Sequence, residues 1–292
     1  QADLTIMATS YFSELLPELA TRSARASISM LGFSNPALRK HLREVFSATY
    51  GEQGSFLGDP VFEATFGWET ADKTMAELSG QLLTRRLVDA LDNPPGGWRS
   101  EYRFRKDIKP YRHQVEAWQL LAQEIPQSVV VTSGTGSGKT ECFMVPILDS
   151  LVREQADQGG QLTGVRALFL YPLNALINSQ RDRLLAWTDE FKEQIRFCLY
   201  NGLTPNEVPA HKHAETPNQV IDRKELRLSP PPILVTNATM LEFMLVRAQD
   251  APILQKSQGT LRWIVLDEAH TYIGSQAAEL ALLLRRVMHG FG

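Results

Sequence analysis

The sequence predicts an α/β fold: a lobe built on a parallel β-sheet, preceded by a smaller and mostly helical N-terminal region. Two observations support this fold class. From about residue 98 onward, short apolar runs alternate with longer stretches of helical periodicity. Several of these runs are unbroken stretches of Val, Ile and Leu, which are typical of strands covered on both faces.

The predicted strands are the apolar runs of this second region. They are residues 128–132, 165–171, 195–200, 233–236 and 261–266. Helices are predicted at 139–151 and 173–187, after the first two runs, and further helices follow the last two. Strand–helix alternation of this kind favours parallel pairing, because a helix carries the chain back to the start of the next strand.

A strong turn signal separates the two regions. Asn93-Pro94-Pro95-Gly96-Gly97 combines the residues that most often interrupt regular structure. We therefore predict a helical accessory domain at 1–97, made of short helices broken by turns, and the α/β domain at 98–292. Within the first domain, Ser34-Asn35-Pro36 is a helix start signal ahead of an amphipathic stretch that ends at Phe46.

Composition narrows the class of protein. The 292 residues are 43% hydrophobic and 22% charged, as in ordinary globular proteins. The net charge of −3 gives nucleic-acid binding no support, so local groups on the surface would have to supply the positive charge for it.

The two cysteines, Cys142 and Cys198, form no disulfide framework and favour a cytoplasmic location. No apolar run has the length of a membrane span, so no membrane partner is expected.

The segment from Ser133 to Thr140 has the pattern of a phosphate-binding loop. It lies between a predicted strand and a predicted helix, and its glycines let backbone N–H groups point at phosphate oxygens. Lys139 is expected to reach the β- and γ-phosphates, and the Thr140 hydroxyl to ligate Mg²⁺. The predicted ATP-binding residues of this loop are Thr135, Gly136, Ser137, Gly138, Lys139 and Thr140.

An acidic pair follows the last predicted strand. Asp267 and Glu268 come directly after the run Trp263–Leu266, where a phosphate-binding loop needs a second acidic element. We expect Asp267 to hold Mg²⁺ and Glu268 to orient and deprotonate the attacking water. The predicted catalytic residues are therefore Lys139, Asp267 and Glu268.

Together these motifs resemble the superfamily-two DEAD/DEAH-box helicases. Asp267-Glu268-Ala269-His270-Thr271-Tyr272, the stretch 231–237 and Pro172-Leu173-Asn174-Ala175-Leu176 are similar to the YprA/MrfA-like branch. That branch includes large helicases of bacterial antiphage systems, and residues 58–64 resemble the Druantia type. The resemblance implies a RecA-like lobe, an adenine-reading role for Gln114, and a role for His270 in coupling hydrolysis to nucleic-acid binding.

The resemblance also implies contacts with the backbone of a nucleic-acid strand. Short polar residues and free N–H groups at helix starts are what phosphate gripping requires. The predicted contacts are Pro172, Asn174, Gly202, Thr204, Thr236, Asn237 and Thr239.

The implied activity is an ATP-dependent DNA helicase or translocase that needs ATP and Mg²⁺. Its expected partners are single-stranded or partly duplex DNA, a second RecA lobe in a longer chain, and a protein of a defence system. The isolated lobe is expected to be nearly inactive, because the second lobe supplies an arginine finger. An RNA helicase and a non-catalytic ATP-binding module remain as alternatives, since backbone-gripping motifs carry no signature for the 2′-OH.

Overall fold

The computed structural model describes residues 2–46, 51–52, 58, 67–125, 127–134 and 136–292. Thr135 of the phosphate-binding loop and residues 59–64 of the Druantia-like stretch lie outside these ranges. The chain divides into two compact units, Gln1–Gly67 and Trp68–Gly292. No helix of the described chain has both the length and the apolar character needed to cross a bilayer.

Within its described residues, the first unit contains two helices, α1 (Ala2–Met30) and α2 (Pro36–Phe46). Asn35 caps α2 as the sequence predicts, because its Oδ1 accepts hydrogen bonds from the N–H groups of Ala37 and Leu38. The first helix is longer than expected. Its 29 residues include no glycine, and the helix continues through Pro17, where the sequence suggested several short helices.

In the part of the second unit that the structure describes, four short helices lie ahead of the phosphate-binding loop and seven more follow. They are α3 (Met75–Leu78), α4 (Arg85–Asp92), α5 (Arg99–Tyr102), α6 (Arg112–Leu121), α7 (Lys139–Gln158), α8 (Asn174–Thr188), α9 (Ala210–Glu215), α10 (Arg223–Leu228), α11 (Ala238–Val246), α12 (Ala251–Lys256) and α13 (Ser275–Phe291). The predicted helices after the first two apolar runs correspond to α7 and α8.

Within the described residues, the sheet has five strands in the order β3-β2-β4-β1-β5. They are β1 (Ala167–Leu170), β2 (Phe197–Leu199), β3 (Gln219–Val220), β4 (Ile233–Thr236) and β5 (Trp263–Leu266). Every pairing is parallel. The predicted α/β lobe with a parallel sheet is therefore confirmed.

Two hydrophobic layers cover the sheet, one on each face. Phe169, Val235 and Val265 point to the layer that contains α4, α6, α7 and α8. Their neighbours in sequence, such as Leu170 and Leu266, point to the layer that contains α10 to α13. This alternation, with both faces buried, is the reason that the strands are continuous apolar runs rather than alternating ones.

The run 128–132 does not form the strand that its sequence predicts. Its backbone is irregular, and Val130 is 87% exposed. A strand needs a hydrogen-bonded neighbour, and none of the described residues pairs with this segment. It lies instead across a groove from β5, whose outer edge is also unpaired within the described chain.

The boundary between the two units differs from the predicted one at residue 97. The structure places the division between Gly67 and Trp68. Met75, Leu87 and Leu91 are fully buried and belong to the same core as Phe169 of the sheet. The Pro- and Gly-rich stretch at 93–97 is thus a turn within the lobe, because the helices before it pack on the sheet.

Candidate ATP site and nucleic-acid interface

The phosphate-binding loop has the backbone that its glycines permit. Gly136 and Gly138 have φ angles of 77° and 73°, in the left-handed region that favours glycine. A Cβ at Gly138 would collide with Nε2 of Gln114 and lie 3.1 Å from Oε2 of Glu141. Gly138 is therefore required both by its conformation and by the close approach of two side chains.

Polar side chains close the loop on itself. Nζ of Lys139 donates to the carbonyl of Ser133 at 3.0 Å, so the ammonium group lies across the mouth of the loop. The hydroxyl groups of Ser133 and Ser137 are 2.6 Å apart. Ser133 occupies a position where the general pattern has glycine, and its hydroxyl gives the loop an additional internal hydrogen bond.

Gln114 braces the same loop. Its Oε1 accepts from the N–H of Tyr111 at 2.9 Å, and its Nε2 donates to the carbonyl of Gly138 at 3.1 Å. The side chain is 3% exposed. Nε2 of His113 donates to the carbonyl of Ser137 at 2.9 Å, so two successive residues of α6 hold the loop. Adenine recognition by Gln114 stays a prediction, since both ends of its amide bond the backbone here.

The acidic pair lies at the carboxyl end of β5. The N–H of Asp267 donates to the carbonyl of Leu170 at 3.1 Å, which fixes Asp267 beside the end of β1. Oδ1 of Asp267 accepts from the N–H of Glu268 at 2.9 Å. Burial raises the pKa of Asp267 and the charge of Glu268 adds to the rise, whereas that hydrogen bond and the nearby Lys139 oppose it.

The loop and the acidic pair meet in one groove of about 680 Å³. Its lining includes Lys139, Asp267, Glu268 and His270 together with the segment 127–133. Nδ1 of His270 lies 3.4 Å from Oε2 of Glu268, and the His270 side chain is 77% exposed. The three predicted catalytic residues thus lie together at one edge of the sheet. In the sequence, Lys139 and Asp267 are 128 residues apart.

Two of the predicted nucleic-acid contacts, Asn174 and Asn237, are hydrogen-bonded to each other at the starts of neighbouring helices. Asn237 caps α11, since its Oδ1 accepts from the N–H of Met240 at 2.8 Å. Its Nδ2 donates to Oδ1 of Asn174, the first residue of α8, at 2.9 Å. Asn174 and Thr239 are exposed. These groups present amide and hydroxyl donors on the surface beyond β1 and β4.

The remaining predicted contacts differ in their surroundings. Thr236 is fully buried and its hydroxyl donates to the carbonyl of Tyr200 at 2.6 Å, so its side chain serves the sheet and the predicted contact is corrected. The hydroxyl of Thr204 donates to the carbonyl of Leu199 within its own loop. Gly202 is exposed and Pro172 is half-buried.

Three residues were not predicted as site residues from the sequence: Glu141 and Arg183 beside the loop, and Tyr171 near Asp267. Arg183 of α8 donates to Glu141 of α7 at 2.9 Å. The hydroxyl of Tyr171, at the end of β1, is buried and has no hydrogen-bond partner within the described chain. Glu141 directly follows Thr140, so its position in the sequence could have indicated that it lies near the loop. Arg183 is 42 residues further along the chain, and nothing in the sequence around it indicates this contact.

The DEAD/DEAH box helicase family matches residues 111–290 of this chain. The chain belongs to that family, and its sheet with the phosphate-binding loop is the family's RecA-like, ATP-binding lobe. It is 28% identical to the Druantia protein DruE of Escherichia coli (strain UMEA 4076-1), a match that covers 61% of the chain. It is also 28% identical to the ATP-dependent helicase YprA of Bacillus subtilis (strain 168), again over 61% of the chain.

Among solved structures, the chain is similar to the DUF1998 helicase MrfA bound to DNA and AMPPNP. The TM-score is 0.52 with 26% identity, over 76% of this chain and 26% of MrfA. These similarities support the assignment of the chain to the YprA/MrfA-like branch of the family. The matches cover 15% of DruE and 20% of YprA, so the chain spans a small part of its relatives' length.

Proposed function

We propose that this chain is the first, ATP-binding lobe of a longer DNA helicase or translocase that couples hydrolysis of Mg-ATP to movement along a strand. One observation carries the proposal. The phosphate-binding loop, the acidic pair Asp267–Glu268 and the hydrogen-bonded Asn174–Asn237 pair all lie beyond the carboxyl ends of the parallel strands. Ligands of open α/β sheets bind at that edge.

In the proposed reaction each side chain has a separate task. Lys139 binds the terminal phosphates as a point charge at the start of α7, where the helix dipole adds partial positive charge. Glu268 accepts the proton of the attacking water. The backbone of the nucleic-acid strand is bound by Asn174, Asn237 and Thr239. His270 couples strand binding to hydrolysis through its contact with Glu268.

The residues present fit a magnesium ion. The Thr140 hydroxyl and the Asp267 carboxylate are hard oxygen donors, which Mg²⁺ prefers. Asp267 is partly buried, and the rise in its pKa from burial and from the charge of Glu268 makes a nearby cation favourable. Bound Mg²⁺ would neutralise phosphate charge as it develops.

DNA is the proposed track, and antiphage defence the proposed setting. MrfA, which the lobe resembles, was solved with DNA, and DruE is a Druantia protein. The longer protein would supply a second RecA lobe and act in the cytoplasm, with single-stranded or partly duplex DNA and a defence-system protein as its partners.

The test is a titration of the ATPase rate of the longer protein against single-stranded DNA, duplex DNA and RNA. We expect strong stimulation by single-stranded DNA and weak stimulation by RNA. A Lys139→Ala variant is the control, and we expect it to lose most of its nucleotide affinity and nearly all ATPase activity. A rate close to the parent's in that variant would contradict the assignment of the phosphate-binding loop.

The two alternatives predict different results in the same titration. An RNA helicase would be stimulated more by RNA than by DNA. A non-catalytic module would bind ATP and show no turnover with any nucleic acid. Glu268 favours the catalytic alternative, because a module that only binds ATP has no need of a proton acceptor beside the metal-binding carboxylate.

A further inference from the structure

An ion pair connects the phosphate-binding loop to α8. Nη1 of Arg183 donates to Oε1 of Glu141 at 2.9 Å, and the two side chains are only 23% and 15% exposed. Glu141 lies in the first turn of α7, directly after Thr140. Its second oxygen, Oε2, lies 3.1 Å from the position that a Cβ of Gly138 would occupy. The pair therefore touches the loop that would hold the phosphates.

A buried tryptophan contacts each member of the pair, at the backbone of Glu141 and at the guanidinium group of Arg183. Nε1 of Trp118 donates to the carbonyl of Glu141 at 2.9 Å. The guanidinium carbon of Arg183 lies 5.4 Å from the centre of the Trp187 ring, and Nε1 of Trp187 donates to the carbonyl of Tyr102 at 2.8 Å. Each tryptophan is at most 2% exposed. The pair is mostly buried, so loss of either member leaves a charge without its partner.

The same helix reaches the proposed nucleic-acid interface. Asn174 is the first residue of α8 and bonds Asn237. Arg183 lies nine positions later, about 14 Å along the helix axis. Ile177 and Leu184 bury the intervening face against the sheet. One continuous element thus carries a strand-binding group at its start and a contact with the phosphate-binding loop further along.

We propose that Arg183 is a positioning residue that links α8 to α7 through Glu141, so that a bound strand adjusts the phosphate-binding loop and accelerates ATP hydrolysis. The proposal rests on the proposed function, because it needs both a strand and a hydrolysable nucleotide. It assigns the coupling to a charge, since an uncharged side chain of similar size cannot hold Glu141 with the same strength.

The experiment uses the longer protein and compares Arg183→Gln with Arg181→Gln. Arg181 lies on the same helix, but it bonds Gln219 at 3.1 Å, away from the loop. The quantity measured is the ratio of ATPase rates with and without saturating single-stranded DNA. Thermal unfolding and equilibrium binding of nucleotide and of DNA are measured in parallel. We expect the ratio to fall about tenfold for Arg183→Gln and to stay within about twofold for Arg181→Gln.

A double-mutant cycle tests whether the two residues act together. Glu141→Gln should lower the ratio as Arg183→Gln does, and the double variant should lose no more than the larger single loss. An unchanged ratio in Arg183→Gln overturns the proposal. So does a loss that only accompanies a lower unfolding temperature and adds up in the double variant, which would make the pair structural.

Failure of the proposed function is visible in the parent protein. If no nucleic acid stimulates its ATPase, both proposals fail at that point. If the parent is stimulated and Arg183→Gln is stimulated equally, only the role of Arg183 is rejected.

Discussion

Glu268 has a left-handed backbone, with φ of 51° and ψ of 38°. A residue with a Cβ adopts this conformation at a cost of about 1–3 kcal/mol, and such strain is concentrated at functional sites. The turn directs the N–H of Glu268 back to Oδ1 of Asp267. Two adjacent carboxylates are thereby separated, one against the end of β1 and one toward His270, as two different tasks require.

We predict that Glu268→Gln separates binding from hydrolysis. The amide keeps the shape of the side chain and removes the proton acceptor, and loss of a general base costs about 10²–10⁴ in rate. Nucleotide affinity, measured by equilibrium binding, should stay near that of the parent, while steady-state ATPase with saturating DNA falls. Asp267→Asn is the comparison and should weaken Mg-ATP binding itself. Near-parental turnover in Glu268→Gln would leave Glu268 as a structural carboxylate.

Tyr171 offers a test of an unpaired buried group. Its ring is 1% exposed, and its hydroxyl has no partner in the described chain. Tyr200 is equally buried, but its hydroxyl donates to Oδ2 of Asp250 at 2.8 Å. Tyr171→Phe should leave the free energy of unfolding unchanged or raise it by up to about 1 kcal/mol, because it removes an unsatisfied group.

Tyr200→Phe should lower that free energy by about 1.5–3 kcal/mol, since a hydrogen bond to a charged group is lost. Urea denaturation of the two variants measures the contrast. An equal loss of stability in both would mean that the Tyr171 hydroxyl has a partner in solution.

At the scale of elements, the local sequence pattern was sufficient to locate strands that are buried on both faces. β4 spans residues 233–236 as predicted, because both faces of that run are covered. β3 has only Gln219 and Val220, too short for any periodicity to show. The run 128–132 has the composition of a strand, but strand formation depends on a neighbour as well as on composition.

The candidate site divides in the same way. The phosphate-binding loop and the acidic pair are contiguous motifs, so the sequence located them. Glu141 and Arg183 become neighbours only when α7 and α8 pack on the sheet, and that contact has no local signature. Thr236 was predicted as a nucleic-acid contact because it lies inside a motif. In the structure its buried hydroxyl donates to the carbonyl of Tyr200 instead.

The start of α11 gives a prediction at this scale. Asn237→Asp keeps the oxygen that caps Met240 N–H, but it loses the donor to Asn174 and adds negative charge beside the proposed track. We expect stability to be retained and DNA affinity to fall evenly across sequences, because phosphate contacts carry no base information. Fluorescence anisotropy on several unrelated single strands measures this.

Asn237→Ala is the matched variant for that test. It removes the cap as well and should lower the free energy of unfolding by about 1 kcal/mol. A loss of affinity that differs strongly between sequences would mean that the loop reads bases.

At the scale of the whole molecule, one lobe holds most of the chemistry but only part of the proposed active site. Lys139, Asp267 and Glu268 line a groove that is open along the unpaired edge of β5. In related phosphoryl-transfer enzymes an arginine supplied from outside the phosphate-binding domain raises the rate about 10³–10⁵-fold. The 292-residue chain covers 15–20% of DruE and YprA. Among its described residues, the arginine that lines this groove is Arg262, which lies before β5, at the opposite end of the strand from Asp267.

We therefore predict that the 292-residue chain binds Mg-ATP and hydrolyses it at least about 10³-fold more slowly than the longer protein. Binding should persist because the proposed contacts to phosphate, from Lys139 and the N–H groups of the loop, are all within the lobe. Single-turnover hydrolysis with excess protein isolates the chemical step from product release. The Lys139→Ala form of the same chain is the control for binding. If the isolated chain hydrolyses ATP as fast as the longer protein does, the lobe is a complete ATPase, and the second lobe would serve movement rather than chemistry.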